Sequence, residues 1–275
     1  MKKVLMLGLL FLVFLTGCGK KAKFNFEKGQ IIVGLEAAYA PFNWMETTAT
    51  TSNHPLDGMK AYVEGYDVQI AKLLAKDLGL KLVIKRIEWK GLIPALESGM
   101  IDIIIAGMSP TDERKQTINF TDTYYESEHV VIVRKDGNYA NAQDLGDFNG
   151  AKIVGQKSTL YDTLAGQLKD ANQNSVHQTP LESIPEIVNA IKSGVSDVTV
   201  VERPVAISIV NNNDTLKYIK LNTKFTLDLS DTIVSIGLRK IDAELLTKLN
   251  ESLAKITVEQ REALMLAATS HAPGE

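Results

Sequence analysis

Residues 92–106 read LIPALESGMIDIIIA, and residues 187–202 read IVNAIKSGVSDVTVVE. Each begins as a short amphipathic helix, stops at Ser-Gly, and passes through an Asp into an apolar run. Gly99 and Gly194 can adopt the left-handed conformation that ends a helix. The apolar runs behind Asp102 and Asp197 then read as buried strands. Helix, Gly, strand, used repeatedly, is the pattern of a parallel α/β sheet. Its recurrence in the second half of the chain favours two lobes on one plan over a single large sheet.

Working outward, Ile31–Leu35 (IIVGL) is a short buried-type strand. Residues 66–78 (YDVQIAKLLAKDL) carry Val68, Ile70, Leu73, Leu74 and Leu78 at helical spacing, and Gly79 stops that helix. Residues 81–87 (KLVIKRI) form the next strand. Residues 124–129 (YYESEH), ahead of the strand Val130–Val133, mark a crossing into the second lobe. The chain must return near Asp231, because residues 232–238 (TIVSIGL) form another apolar strand before the helix 243–256. The expected fold is α/β and two-lobed, each lobe a mostly parallel sheet flanked by helices, joined by two crossover connections. Lobe 1 takes residues 30–128 and 232–275, and lobe 2 takes 129–231. The polar connection 47–63 is long for such a unit and reads as a binding-site flap or an insertion.

The 275 residues carry 30 Lys+Arg and 33 Asp+Glu, for a formal charge of −3, and 45% are apolar. That composition supports a full core and excludes a disordered chain, a fibre or a multi-span membrane protein. The mild acidity argues against nucleic acid, which needs a basic footprint. A single cysteine excludes a disulfide scaffold and a Cys-rich zinc site.

That cysteine sits at the end of MKKVLMLGLLFLVFLTGC, residues 1–18. Lys2 and Lys3 precede an apolar run from Val4 to Leu15 that is short for a membrane span and fits a signal peptide. Leu15-Thr16-Gly17-Cys18 looks like a bacterial lipobox, in which Cys18 becomes the lipidated first residue. Residues 1–17 are then a cleaved leader, and 18–29 a lipidated tether. Cleavage removes two lysines and no acids, so the remainder carries 28 − 33 = −5. The body is expected to start near Gln30 and to work outside the cytoplasm, at the outer face of a cell membrane.

Catalytic constellations are sharp when present. His54, His129, His177 and His271 are scattered without metal-ligand spacing and read as surface or loop histidines. G-x-S-x-G, Walker and G-x-G-x-x-G motifs are missing from the sequence. Attention moves to the carboxyl ends of strands, where open parallel sheets bind ligands. Residues 34–44 (GLEAAYAPFNW) place Glu36 and three aromatics directly after the first strand. A carboxylate beside aromatic faces suits a cation or a polar amide. Trp89 follows the strand 81–87 and offers another wall. Residues 107–114 (GMSPTDER) follow the strand IDIIIA, and free backbone N–H groups, the Ser109 hydroxyl and Arg114 form a carboxylate receptor. Arg114 could equally pair with Asp112 or Glu113 on the helix face.

The combination resembles the extracytoplasmic solute-binding proteins of family 3, which feed polar amino acids to ABC importers. The resemblance runs from about Ile31 to the C-terminal helix. Its pieces are the lipobox, GLEAAYAPFNW, EGYDVQIAK, GLIPAL, SGMIDIIIAGMSPTDERKQTINFTDTYY, SGVSDVTVVERP and IGLRK. It implies the periplasmic-binding-protein-like form of the two-lobed fold. Carried over, the pattern makes Arg114 a clamp for the ligand α-carboxylate, helped by the Gly107 and Thr159 N–H groups. Ser109, the Ala106 carbonyl and Glu202 face the α-ammonium. Tyr39 and Trp89 sandwich the side chain, and Glu36 reads its far end. Trp44 and Lys157 are further contact candidates, Lys157 favouring an amide or acid. The sequence departs from basic-amino-acid members at Ala106-Gly107, where two serines are common, and at Glu202, where the shorter Asp is common.

The resemblance thus implies a lipid-anchored, monomeric, non-enzymatic binding protein with an ABC permease as partner and neither cofactor nor metal. Arginine or another basic amino acid is favoured as ligand, and glutamine comes next. Two rivals share the fold: a dehydratase-like enzyme acting on prephenate-like acids, and a ligand-sensing domain. Pairing of Glu202 with Ser109 favours a ligand with an α-ammonium, which such acids lack.

Overall fold

The computed structural model describes residues 23–126 and 128–273; the leader 1–17 and Cys18 lie outside the described residues. The chain enters β1 (Gln30–Leu35) and then a small antiparallel sheet of β2 (Ala38–Tyr39), β3 (Asn43–Glu46), β4 (His54–Pro55) and β5 (Tyr62–Glu64). Next come α1 (Tyr66–Asp77), β6 (Lys81–Arg86), α2 (Leu92–Ser98), β7 (Ile103–Ile104), α3 (Asp112–Thr117) and β8 (Asn119–Glu126). The second lobe holds β9 (His129–Arg134), β10 (Lys152–Ile153), α4 (Leu160–Asp170) and β11 (Val176–His177). It continues with α5 (Ile184–Ser193), β12 (Val198–Glu202), α6 (Arg203–Asn211) and β13 (Leu216–Ile219). β14 (Ile233–Leu238), α7 (Ala243–Leu253) and α8 (Val258–His271) return to the first lobe. Among the described residues no helix is long and apolar enough to cross a membrane.

The two main sheets share one topology. The first runs β6-β1-β7-β14-β8 and the second β11-β10-β12-β9-β13. In the first, β1 is parallel to β6 and β7, while β14 is antiparallel to both of its neighbours. In the second, β10 is parallel to β11 and β12, while β9 is antiparallel to both of its neighbours. Each sheet is therefore parallel except for one strand. That strand is the one the chain uses on arriving from the other lobe.

The sequence echo has a physical basis. Asp102 and Asp197 each cap the neighbouring strand: Asp102 accepts from the Ile32 N–H at 2.9 Å, and Asp197 from the Lys152 N–H at 3.0 Å. Each also pairs with an arginine from the end of the odd strand, Asp102 with Arg239 at 3.3 Å and Asp197 with Arg134 at 2.8 Å. Those arginines bond equivalent carbonyls, Leu96 and Ile101 in one lobe, Ile191 and Ser196 in the other. Gly99 and Gly194 end α2 and α5 with φ of 78° and 76°.

One expectation changes, and one pair of alternatives resolves. The sequence places residues up to 29 in the tether, but Phe24 is already buried, its N–H bonded to the Asp242 carboxylate at 2.7 Å, so the packed body includes it. An aromatic ring with a place in the core does not stay in a spacer. The connection 47–63 is an insertion. Its β4 pairs with β5, and buried Leu56 bridges Ile84 of β6, covering that edge strand away from the inter-lobe cleft.

Candidate functional site

The site is built where strands end. β1 delivers Glu36, buried at 7% exposure, and β2 delivers Tyr39, stacked on Phe42 at 5.1 Å between centroids. The chain beyond β7 turns at Gly107 with φ of +59°, where a Cβ would lie 2.7 Å from the Tyr39 ring; only glycine fits. Thr111 then caps α3, its hydroxyl accepting from the Arg114 N–H. The Arg114 guanidinium donates to the Ser109 carbonyl at 2.9 Å and lies 5.1 Å above the Trp89 ring.

Lobe 2 supplies the opposite wall. Glu202 ends β12 and is 4% exposed. Thr159 caps α4, accepting from the Tyr161 N–H at 3.1 Å. The lobes touch across the cleft: the Tyr39 hydroxyl donates to Glu202 at 2.9 Å and meets the Tyr161 hydroxyl. Gln156 donates to Glu36 at 3.4 Å, and the Trp89 indole donates to the Ser158 carbonyl at 2.9 Å. The two lobes together line one cavity between them, with Glu36 and Arg114 on one side and Tyr161 and Glu202 on the other.

Its electrostatics follow from exclusion of water. Burial raises Glu36 to about 7, against the opposing Gln156 amide and Arg86 charge. Burial raises Glu202 to about 8, against the hydrogen bonds from Tyr39 and Tyr161. Burial lowers Arg114 to about 10, which leaves it cationic at neutral pH. Burial lowers His129 to about 4, so its ring is neutral there.

Eight sequence candidates border this one cavity: Glu36, Tyr39, Trp89, Gly107, Ser109, Arg114, Thr159 and Glu202. Ala106 is buried and does not border it. Trp44 lies outside it, its indole bonded to Glu46 at 2.8 Å, because β3 turns that side chain into the small sheet. Lys157 also lies outside, held by Glu182 at 2.7 Å. The Gly107 and Thr159 N–H groups are committed to the Tyr124 hydroxyl and the Gln156 carbonyl, so neither waits for a ligand in this form. One face of Trp89 is taken by Arg114 rather than left for a side-chain sandwich. The alternative for Arg114 fails: Asp112 pairs with Lys115, and among the described residues no carboxylate ion-pairs with Arg114.

The sequence reading missed Gln156, Leu160, Tyr161 and His129. Gln156 adjoins the candidate Lys157, and Leu160 and Tyr161 follow the candidate Thr159 directly. His129 was read as a surface histidine. It is the register partner of Glu202 across β9 and β12, which turns it to the same face. Both its ring nitrogens are buried without a hydrogen-bond partner among the described residues.

Comparison with known proteins gives the chain's family. The family model for bacterial extracellular solute-binding proteins, family 3, matches residues 31–265. The arginine-binding extracellular protein ArtP of Bacillus subtilis is 28% identical over 243 residues, 88% of this chain and 87% of the relative. The ABC transporter glutamine-binding protein GlnH of the same organism is 28% identical, covering 95% of this chain and 94% of the relative. The crystal structure of the amino acid ABC transporter substrate-binding protein AbpA of Streptococcus pneumoniae, bound to L-arginine, superposes with a TM-score of 0.75. It is 26% identical, and the match covers 90% of this chain and 98% of that one. The chain belongs to the bacterial extracellular solute-binding proteins, family 3.

Proposed function

We propose that this protein captures a polar amino acid, arginine before glutamine, between its lobes and delivers it unchanged to the membrane subunits of an ABC importer. One observation carries the preference. The cavity presents one cation, Arg114, and two buried carboxyl groups, Glu36 and Glu202. Arginine carries the complementary set: one carboxylate, one ammonium and one guanidinium. On this reading Arg114 holds the α-carboxylate. Glu202 and Ser109 take the α-ammonium, which displaces the Tyr39 hydroxyl from Glu202. Glu36 receives the guanidinium beside the Tyr39 ring, and the bidentate fork of that group suits a carboxylate. The arginine-binding relative and the arginine-bound structural neighbour support it.

Glutamine is the second reading, because an amide already donates to Glu36 from Gln156, and GlnH is a relative that binds it. Leu15-Thr16-Gly17-Cys18 supports a lipid anchor on the outer face of the membrane. One chain supplies both walls of the cavity, which supports action as a monomer. Calorimetric titration with single amino acids tests the proposal. Arginine is expected to bind tightest; binding of no amino acid, or chemical conversion of a bound one, overturns it.

A further inference from the structure

Asp67 lies in the first turn of α1, fully buried, and does not border the cavity. Its two carboxylate oxygens nevertheless reach both loops that build the lobe 1 wall. One oxygen accepts from the Tyr124 hydroxyl at 2.7 Å, and that hydroxyl accepts from the Gly107 N–H at 3.0 Å. The other accepts from the Asn43 amide at 2.8 Å, and the Asn43 carbonyl oxygen accepts from the Ala37 N–H at 2.7 Å. The two chains end on the two lobe 1 backbone positions beside the site that carry positive φ: Ala37 at 56°, next to Glu36, and Gly107 at 59°, two residues before Ser109; the third such position, Ser158 at 60°, is in lobe 2. Positive φ is unfavourable for a residue with a Cβ, so Ala37 persists there only because its surroundings hold it.

We infer that Asp67 is the positioning residue of the ligand site: one buried carboxylate sets the backbone of the Glu36 loop and of the Gly107–Ser109 loop together. The directions of the bonds require an acceptor on both sides. The Tyr124 hydroxyl receives from Gly107 and spends its one proton on Asp67, and the Asn43 amide nitrogen donates because its carbonyl oxygen is receiving from Ala37. An asparagine at 67 offers one acceptor and one donor, so one of the two loops loses its anchor. A leucine-like filler would release both. Unsatisfied buried donors are costly, and loop placement off by about an ångström weakens a site built on several converging contacts.

The inference rests on the amino-acid-binding reading, and the test separates the two. The probes are L-arginine, L-glutamine, L-histidine and L-cystine, titrated into the purified protein. Asp67→Asn is expected to fold, with a cooperative melt, and to bind the wild type's preferred probe about tenfold or more weakly, as for a lost charge-assisted bond. The exchange Asn43→Asp with Asp67→Asn restores every bond in the chain with the polarity of the pair reversed, and is expected to bring affinity back to within about threefold of wild type. A merely stabilising residue would shift the melt and leave affinity alone. Wild-type affinity in folded Asp67→Asn overturns the inference. If Asp67→Asn does not fold, Tyr124→Phe decides: it keeps the ring that stacks on Tyr66 and removes only the bridging hydroxyl. Weaker binding supports the inference, and unchanged binding overturns it. If the wild type binds none of the probes, the arginine and glutamine readings fail, while hydrogen exchange still tests Asp67. Faster exchange at Ala37 and Gly107 in Asp67→Asn supports its role, and unchanged exchange overturns it.

Discussion

Glu36 and Glu202 are carboxyl groups placed where water cannot solvate an anion, at 7% and 4% exposure. A cationic ligand restores their charge, and two outcomes follow. Glu36→Gln is expected to cost arginine binding on the order of 3 kcal/mol, as for a broken buried pair. For glutamine the loss is about 1 kcal/mol, because an amide still offers an acceptor. Titrating both ligands into the variant checks the difference, and equal losses count against a counter-charge role. The second outcome concerns pH. Glu36 and Asp67 are raised to about 7, and Glu202 to about 8, from ordinary values of 4.5, 3.8 and 4.5. In the window above 4 the folded protein therefore holds more protons than the unfolded chain, and stability falls as pH rises. His129, lowered from 6.5 to about 4, works the other way, its contribution being lost as pH falls through that interval. His54, also lowered by burial, acts in the same sense as His129, so the net fall in stability is expected where the carboxyl groups titrate above the histidine range. The unliganded melting temperature is expected to drop between pH 6.5 and 8, while arginine affinity rises as the same groups ionise. Calorimetry in buffers of different ionisation enthalpy should record proton release on binding.

At the scale of elements, the repeated Asp–Arg clamp ties each helix–strand unit to the odd strand of its sheet. Asp197→Ala leaves Arg134 facing the Ile191 and Ser196 carbonyls without its carboxylate, and frees the Lys152 N–H. The Arg134 and Asp197 side chains keep 21% and 14% exposure, so solvent softens the loss. About 2–3 kcal/mol is expected, below the range for a fully buried pair. Asp102→Ala is buffered differently, because Asp242 remains 2.8 Å from Arg239. Urea unfolding of the two variants should therefore rank Asp197→Ala as the more damaging. The opposite order would mean that Asp242 does not compensate for the loss of Asp102. The insertion 47–63 belongs to this scale too: it shields β6 and stays clear of the cavity.

At the scale of the molecule, closure is held by the site's own side chains. The contacts of Tyr39 with Glu202 and Tyr161, of Gln156 with Glu36, and of Trp89 with Ser158 all cross the cleft. A ligand that pairs with groups of both lobes favours the same closed form, because only that form makes both sets of contacts. Tyr39→Phe removes the hydroxyl that spans to lobe 2 and keeps the ring on Phe42. Solution scattering is expected to show a larger radius of gyration than wild type without ligand, and the same radius at saturating arginine. An unchanged radius in the unliganded variant would mean that the hydroxyl does not hold the lobes. If Cys18 carries the proposed anchor, Cys18→Ala should release the protein from the membrane fraction or leave it unprocessed, since firm anchoring needs acyl chains; an unchanged membrane fraction would count against the anchor.

Much of this was legible in residue order because it is local. A helix stop at Gly99, an Asp before an apolar strand, a cap at Thr111 and a turn at Gly107 each depend on a few consecutive residues. Strand ends were legible for the same reason, and they carried Glu36, Arg114 and Glu202 to one cavity. Only the tertiary structure decided which polar groups remain for a ligand. The Gly107 N–H, a ligand donor on the sequence alone, is held by the Tyr124 hydroxyl seventeen positions along. His129 became a site residue through its register with Glu202, and Lys157 stopped being one through Glu182. Trp44 and Tyr39 lie five positions apart, yet the pairing of β2 with β3 sends only Tyr39 into the cleft. Hydrogen-bond partners and strand register are set by distance in space, and one residue of register reverses which face a side chain occupies. Sequence order alone therefore determined the elements and the reach of the site, while packing determined its free donors and acceptors.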